Sequence, residues 1–306
     1  MKSCPICNSS ETNAILKSEK EFLSNTIFDI RECFECGVSY TDPRPDNLDP
    51  YYPTNYRGYN FVINKLLKMF YQGRINGWTR RFKKPGKVLE IGCGPGYMLD
   101  VFRKKGWRVL GLERSADTAR YAQEVLGLDV FVGDIDLIPE KREYDLIIIF
   151  NVLEHVTDPT TILRGCAKRL KPEGTLIINI PNINSLQARY AGSHWSHLDP
   201  PRHLFYFTPK SSENILSKCG LTINDIKYNS FEFDSFGWLQ SLINKITGHY
   251  NVFALYLMGI EPFSRKVVLA MALSFFLIIP SCVLSIVGRL TKSGALMQVS
   301  ARPNLL

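Results

Sequence analysis

One stretch decides the fold of this chain: Val88-Leu89-Glu90-Ile91-Gly92-Cys93-Gly94-Pro95-Gly96-Tyr97. Its apolar, partly β-branched beginning predicts a buried strand, and its three alternating glycines predict a tight turn before a helix. Glycine lets the backbone turn sharply and approach a ligand closely, which is why such turns open nucleotide sites in α/β folds. Glu113 follows a second strand-like run about twenty residues later, where a carboxylate can bind ribose hydroxyls.

Strand and helix signals alternate from residue 87 to residue 182. Such alternation builds a parallel sheet with helices on both faces, and these sheets bind ligands beyond the carboxyl ends of their strands. The residues expected to meet there are Gly92 to Gly96, Glu113, Asp134 and Asn151 to His155. Predicted strands cover 87–92, 108–113, 129–133, 144–150, 174–181 and 221–231, and predicted helices cover 95–105, 115–126, 159–170 and 209–220.

These residues carry a family resemblance. Residues 90–96 resemble the first motif of class I S-adenosylmethionine-dependent methyltransferases, whose glycines alternate as GxGxG, whereas dinucleotide dehydrogenases have GxGxxG. Glu113 matches the ribose-binding acid of that family, and the loop 133–135 matches the loop beside the adenine. Residues 144–156 match its fourth strand and the segment that follows. The residues alone also allow Glu113 to be a solvated acid and Asp134 to be a turn or capping residue.

The resemblance covers about residues 61–235 and a short piece near the C-terminus. It implies an α/β fold, Rossmann-like and doubly wound around a mostly parallel seven-stranded sheet, with S-adenosyl-L-methionine as the cofactor. It says little about the methyl acceptor. The cofactor-binding residues that it implies are Glu90, Gly92, Cys93, Gly94, Gly96, Glu113, Asp134, Ile135 and Asn151.

The N-terminus contains two CxxC pairs, Cys4 with Cys7 and Cys33 with Cys36, separated by 25 residues. Four thiolates at this spacing suit a tetrahedral zinc ion, because each pair can bind the metal from one turn. No histidine or carboxylate interrupts the set, so we expect structural Zn2+ in a small ribbon. An incidental thiol cluster is the alternative. The remaining cysteines stand singly, as buried thiols do in a reducing cytoplasm.

Histidine is well suited to take a proton from an acceptor hydroxyl near neutral pH. His155 directly follows a predicted core strand, although it could instead be a packing or helix-start residue. We expect the segment after residue 181 to form a loop of some 25 residues over the acceptor, with His203 as the first candidate base and His197 as the second. Similar segments recur in methyltransferases that this chain resembles. Nothing in the loop supplies a full set of metal ligands.

The segment between ribbon and core is rich in tyrosine. Tyr51, Tyr52, Tyr56 and Tyr59 could form a lid over the cofactor, as in resembling enzymes, or could pack between ribbon and core. Residues 61–82 follow with helical periodicity, and we expect this helix to cover one edge of the sheet.

The C-terminal part combines two opposing signals. Residues 267–287 contain no charge and could span a membrane, but residues 294–303 resemble the seventh, antiparallel strand of the methyltransferase sheet. Both ends of the insert would then return to one domain, which excludes a single crossing. Pro280 should kink or break a helix there. Residue types of membrane interfaces flank the run: Trp238, His249, Tyr250 and Tyr256, with Arg265, Lys266, Arg289 and Lys292.

We therefore expect monotopic membrane association; a tail span and a buried or dimer-forming hairpin are the alternatives. The formal net charge of +8 suits an acidic partner, whether nucleic acid, a phosphorylated metabolite or an anionic membrane. No secretory signal is recognised. The expected regions are a zinc ribbon (1–45), a linker and N-terminal helix (46–86), the cofactor-binding core (87–235), an apolar insert (236–290) and a final strand with a tail (291–306).

The sequence predicts a methyltransferase that acts, most simply at oxygen, on a small or lipid-linked acceptor such as a sugar or quinone-like lipid. Its expected place is the cytoplasm, at the inner face of the cell membrane. One alternative is a zinc-ribbon RNA methyltransferase, but residues 151–154 lack the Asn-Pro-Pro-aromatic signature that resembling enzymes use on a flipped base. We therefore do not expect nucleic acid as a partner. The other alternative is a non-catalytic, membrane-bound cofactor-binding module.

Overall fold

The computed structural model describes residues 3–52, 61–228 and 230–304, with the backbone alone for residues 61–67. Tyr56 and Tyr59, two of the possible lid tyrosines, lie outside the described residues. The strands are β1 (Thr12–Lys17), β2 (Asp29–Cys33), β3 (Ser39–Asp42), β4 (Lys87–Ile91), β5 (Arg108–Glu113), β6 (Val130–Val132), β7 (Tyr144–Phe150), β8 (Leu170–Pro181), β9 (Phe205–Tyr206), β10 (Leu221–Lys227) and β11 (Leu296–Pro303). The helices are α1 (Phe61–Thr79), α2 (Tyr97–Lys104), α3 (Ala116–Arg120), α4 (Pro159–Arg169), α5 (Leu186–Ala191), α6 (Pro209–Lys218), α7 (Phe231–Thr247), α8 (Val252–Leu257) and α9 (Arg265–Leu290).

A seven-stranded sheet forms the centre of the molecule, in the order β10-β11-β8-β7-β4-β5-β6. Strands β4 to β8 pair in parallel, whereas β11 runs antiparallel to both β8 and β10. The predicted Rossmann-like sheet and its antiparallel last strand are confirmed. Strand β7 carries four consecutive fully buried residues, 146–149, as expected of a strand that helices cover on both faces. Ser115 and Asp158 cap α3 and α4, because their side chains accept hydrogen bonds from backbone N–H groups in the first turns of these helices.

Helix α1 lies on a face of this sheet, so the prediction that it covers an edge is wrong. Ile75 and Trp78 pack with Val88 and Leu146, which belong to the central strands β4 and β7. The indole Nε1 of Trp78 also donates a hydrogen bond to Gln298 Oε1 on β11, at 2.8 Å. These large buried side chains fix the helix over the middle of the sheet.

A second sheet, in the order β1-β2-β3-β9, contains the N-terminal ribbon. Its fourth strand, β9, comes from the segment after β8. The expectation of a long irregular loop there is corrected, because residues 182–207 also form α5 and a 3-10 turn, Gly192–His194. The apolar interior of the ribbon continues into the main core, where Val38 and Tyr40 belong to the same buried cluster as Phe205 and Ile215.

The C-terminal insert differs from its prediction in three respects. Strand β10 ends at Lys227, and α7 begins at Phe231, inside the predicted strand. Helix α9 continues through Pro280 without a break. A proline removes only one of the many backbone hydrogen bonds in a helix of 26 residues, and its fixed φ is compatible with a helix. Trp238 is not an interfacial anchor; it is buried beside Tyr190, with the ring centroids 5.9 Å apart.

Candidate active site

The glycine loop between β4 and α2 has the conformation that its sequence requires. Gly92, Gly94 and Gly96 have φ of +69°, +53° and +77°, in the left-handed region that favours glycine. A Cβ atom at Gly92 would lie 2.4 Å from Val152, and one at Gly96 would lie 2.6 Å from Leu128. Among the described residues, a Cβ atom at Gly94 would meet nothing within 4 Å. The loop is therefore packed at both ends and borders open space in its middle.

Two carboxylates flank this loop. Glu113 Oε2 accepts a hydrogen bond from Gly94 N at 2.9 Å, and its Oε1 accepts one from Ser115 N at 3.0 Å. Glu90 is buried, and its Oε2 has no hydrogen-bond partner among the described residues. Burial, together with the charge of Glu113, raises the pKa of Glu90 well above its usual value. Burial also raises the pKa of Cys93, so this residue is a neutral thiol in the loop.

The loop after β6 completes the predicted cofactor edge. Asp134 is exposed at the N-cap position of a 3-10 turn, but its side chain does not cap the turn. Ile135 is fully buried, and its carbonyl oxygen accepts a hydrogen bond from Arg169 Nη2 at 3.0 Å. The sequence did not single out Arg169, whose buried guanidinium also bonds to the carbonyl oxygen of Ile138. The sequence gives no signal of this burial, because Arg169 follows Lys168 in the last turn of α4, where basic residues are common.

Asn151 lies at the end of β7, next to the glycine loop. Its φ is +53°, and its Oδ1 accepts a hydrogen bond from Asn179 Nδ2 at 2.7 Å. These positions fit S-adenosylmethionine, whose sulfonium carries a positive charge. A buried carboxylate with an unpartnered oxygen, Glu90, is stabilised by a cationic ligand, and the open middle of the loop at Gly94 leaves room for a ligand against the backbone.

His155 and His203 lie together beyond the carboxyl end of β7. Their ring centroids are 4.6 Å apart, with the rings nearly perpendicular. His155 Nδ1 lies 2.8 Å from the carbonyl oxygen of Arg202, and His203 Nδ1 lies 2.8 Å from that of His197. A carbonyl oxygen can only accept, so each neutral ring carries its proton on Nδ1. In both rings Nε2 is then the nitrogen that can take a proton.

The ring of His197 lies elsewhere, against α7. Its Nε2 would be 2.5 Å from a Cβ atom at Gly237, and its ring packs on Trp195. His197 therefore contributes its carbonyl oxygen to the pair of rings. Tyr52 lies beside the pair, with its hydroxyl 3.2 Å from His155 Nδ1, whereas Tyr51 packs on Phe28 of the ribbon.

Glu154 is a buried acid that the sequence did not single out, although it stands next to His155. Its Oε1 lies 4.0 Å from His155 Nε2. One donor atom from each of Glu154, His155 and His203 lies within 4.8 Å of the others, so this set could hold a metal ion. The set could not be recognised from the sequence, because its members come from two segments almost 50 residues apart.

The four N-terminal cysteines form a second cluster. Cys4 Sγ lies 3.7 Å from Cys36 Sγ, Cys7 Sγ lies 3.5 Å from Cys33 Sγ, and all four sulfur atoms lie within 4.8 Å of one another. Zinc–sulfur bonds of about 2.3 Å in a tetrahedron place sulfur atoms about 3.8 Å apart. The cluster therefore has the donor set and the spacing that zinc requires.

Comparisons with known proteins agree with this geometry. A family model described as a methyltransferase domain matches residues 66–225, just over half of the chain. The chain is 28% identical over 167 residues to a ubiquinone biosynthesis O-methyltransferase of Cereibacter sphaeroides, which covers 51% of this chain and 68% of that protein. A protein of the same name from Erwinia tasmaniensis is 31% identical over 106 residues, covering 32% of this chain and 44% of the relative.

The fold also resembles solved structures. A provisionally named sarcosine dimethylglycine methyltransferase from Galdieria sulphuraria aligns with a TM-score of 0.50 at 16% identity, covering 80% of this chain and 91% of the other. At this identity the likeness concerns the fold alone.

Proposed function

The chain belongs to the class I S-adenosylmethionine-dependent methyltransferases, and from that premise we propose that it methylates an oxygen atom of a small or lipid-linked acceptor. The observation that carries the proposal is the pair of His155 and His203, because an acceptor hydroxyl needs a base beside it. The matched relatives are named for ubiquinone biosynthesis, which favours a quinone-like acceptor over a sugar. The expected place of action is the cytoplasmic side of the cell membrane.

The residues of the chain divide the task between them. When bound, the cofactor supplies a methyl group on a positively charged sulfur. Once the methyl group is transferred, this sulfur is left as a neutral sulfide. The glycine loop and Glu113 would hold the cofactor, and Glu90 would complement its charge. Because methyl transfer is an in-line displacement, the remaining task of the protein is to align the acceptor oxygen and remove its proton. His155 or His203 would take that proton on Nε2.

The test uses a catechol with a short prenyl chain, presented in phospholipid vesicles. We expect His203→Ala and His155→Ala to lose most of the turnover and to keep their affinity for S-adenosylmethionine. His249→Ala, which changes a histidine between α7 and α8, is the matched control and should behave as the wild type. Unchanged turnover in either site variant would remove that histidine from the mechanism.

A divalent cation at Glu154, His155 and His203 is the second candidate for this cluster. Its support is the convergence of one carboxylate and two imidazoles, which suits several transition metals. Such an ion would lower the pKa of an acceptor hydroxyl and so replace a protein base. Chelation would also remove the zinc proposed for the four cysteines, so metal analysis of Glu154→Gln decides between the two. A second metal ion per chain that is lost in this variant favours the cation, and the same metal content in both proteins favours the histidine base.

The N-terminal cluster is proposed to hold one structural Zn2+ through Cys4, Cys7, Cys33 and Cys36. Its support is the four-sulfur donor set, which leaves no position for a substrate. Metal analysis of anaerobically purified protein should find about one zinc per chain. Less than a tenth of an equivalent would contradict the proposal.

Membrane association is proposed for α9. Within the described residues this is the one helix long and apolar enough to cross a membrane. Only 17% of its most apolar window is buried in the protein, so most of its apolar surface is exposed. Phe275, Phe276 and Ile279 are each at least 72% exposed. Because β10 and β11 flank the insert and pair with each other, both of its ends return to one sheet. This favours a helix that lies in the membrane interface.

Two experiments separate the rival functions. Salt-dependent binding of RNA would favour an RNA methyltransferase, which we do not expect because an exposed apolar helix has no role on RNA. A cofactor-binding protein that lacks catalysis would bind S-adenosylmethionine and methylate none of the sugar, catechol or quinol acceptors offered in vesicles.

A further inference from the structure

Arg202 is a buried cation between the N-terminal ribbon and the histidine pair. Its side chain is 1% exposed. Nη1 donates to Glu21 Oε1 at 2.8 Å and to the carbonyl oxygen of Tyr51 at 2.9 Å, while Nε and Nη2 donate to Asp199 Oδ1 at 3.0 and 2.6 Å. The ring of Phe22 covers the guanidinium, 4.4 Å from its carbon to the ring centroid. Removing one partner of a charge buried this deeply leaves the rest of the network uncompensated.

The backbone of the same residue holds the histidine pair. The carbonyl oxygen of Arg202 accepts the hydrogen bond from His155 Nδ1, and the next residue along the chain is His203. The side chain of Arg202 is thus fixed by Glu21 and Phe22 of the ribbon together with Tyr51 and Asp199. Its carbonyl oxygen orients the ring of His155, and the next residue is His203.

Glu21 is itself rigidly held within the ribbon. Its Oε2 accepts hydrogen bonds from Leu23 N at 2.9 Å and from Ser24 N at 2.7 Å, which leaves Oε1 directed at Arg202. A second contact supports the first, because Thr41 Oγ1 on β3 donates to the carbonyl oxygen of His203 at 2.7 Å. The ribbon therefore contacts this segment through Arg202, through His203 and through the pairing of β3 with β9.

We propose that Glu21 is a positioning residue for methyl transfer: through Arg202, it fixes the orientation in which His155 and His203 meet the acceptor. This inference rests on the proposed role of the histidine pair. This role of Glu21 gives the ribbon a function besides metal binding, because its side chain helps to fix the histidine pair of the proposed acceptor site. The cofactor half of the site makes no use of this contact.

The test compares Glu21→Gln with Glu11→Gln, which removes an exposed acid from the same ribbon. Full-length, zinc-loaded protein is used for three measurements: kcat with the prenylated catechol in vesicles, the Kd of S-adenosylmethionine, and NMR titration of both histidine rings. We expect Glu21→Gln to lower kcat by about tenfold to a hundredfold, because small displacements of catalytic groups are costly. Both ring titrations should shift while the Kd stays within about twofold of the wild-type value. Glu11→Gln should match the wild type.

Glu21→Asp keeps the charge with a shorter reach and should recover part of the lost kcat; it also replaces Glu21→Gln if that variant does not fold. If His155 and His203 titrate in Glu21→Gln as they do in the wild type, the proposal is overturned. Equal losses of kcat and cofactor affinity would also overturn it, because they would indicate a general structural role. If the wild type does not methylate the catechol, the proposed acceptor fails, and the ring titrations still decide the role of Glu21.

Discussion

The proposed cofactor half and the proposed acceptor half of this site are built in different ways. The cofactor half uses residues 90–151, and its contacts join the ends of neighbouring strands, such as Glu113 with Gly94. The acceptor half joins residues far apart in the chain, including Glu21 with Arg202 and Thr41 with His203. A cofactor site made from consecutive strands can persist while its surroundings change, whereas the acceptor site depends on the ribbon, the loop and the insert together.

This difference also decides what the sequence could predict. The sequence predicts Gly92 and Gly94 because only glycine suits the backbone of this loop. It predicts Glu113 because this acid lies a short, typical distance after the loop in the chain. The acid Glu154 and the Glu21–Arg202 pair were missed, because nothing in the sequence shows which distant segments pack together. Helix α1 was predicted as a helix but misplaced, since periodicity identifies its apolar face and not the surface that this face covers. Of the kink or break predicted at Pro280, the break does not occur, because the other hydrogen bonds of a 26-residue helix continue past one proline.

The largest effect is expected for a substitution that impairs cofactor binding alone. Glu113→Ala removes the carboxylate that bonds to the glycine loop and would bind the ribose, so we expect about a hundredfold weaker binding of S-adenosylmethionine by calorimetry. Asp117→Asn, which changes an exposed acid on α3, is the control and should bind normally. Wild-type affinity in Glu113→Ala would mean that the cofactor is held elsewhere.

Removing the metal should separate the two halves. Zinc chelation, or Cys36→Ser, should loosen the ribbon, and we expect about a tenfold loss of transfer with cofactor affinity unchanged. Hydrogen exchange should rise first in residues 197–206 and remain slow in β4 and β7. Equal loosening of both regions would show that the halves fold as one unit.

An effect of similar size is expected for the proposed membrane surface of α9. Replacing Phe275 and Phe276 by serine should weaken binding to anionic vesicles by about tenfold, because two exposed aromatic side chains no longer leave water. Phe131→Ser, at the edge strand β6, removes a ring that is 42% exposed from another surface and serves as the control. If all three proteins bind vesicles equally, α9 is not the membrane contact.

The smallest effect concerns Asp234, which joins α7 to β11. Its Oδ1 accepts a hydrogen bond from Leu296 N at 2.9 Å, and burial raises its pKa from 3.8 to about 7. Because the folded state holds this proton more tightly than the unfolded state, Asp234 lowers stability as the pH rises from about 4 to about 7. We expect Asp234→Asn to melt about 2 °C higher than the wild type at pH 8 and to lose that advantage at pH 4. An equal difference in Tm at both pH values would contradict this assignment.

The position of β11 has a consequence for how the protein is made. This strand follows α9 in the chain, yet it occupies the place between β10 and β8. During translation the apolar helix therefore leaves the ribosome while the sheet still has a gap, and β10 has no partner strand until residues 296–303 arrive. The surface of α9 that is proposed to contact lipid is thus synthesised before the strand that completes the sheet.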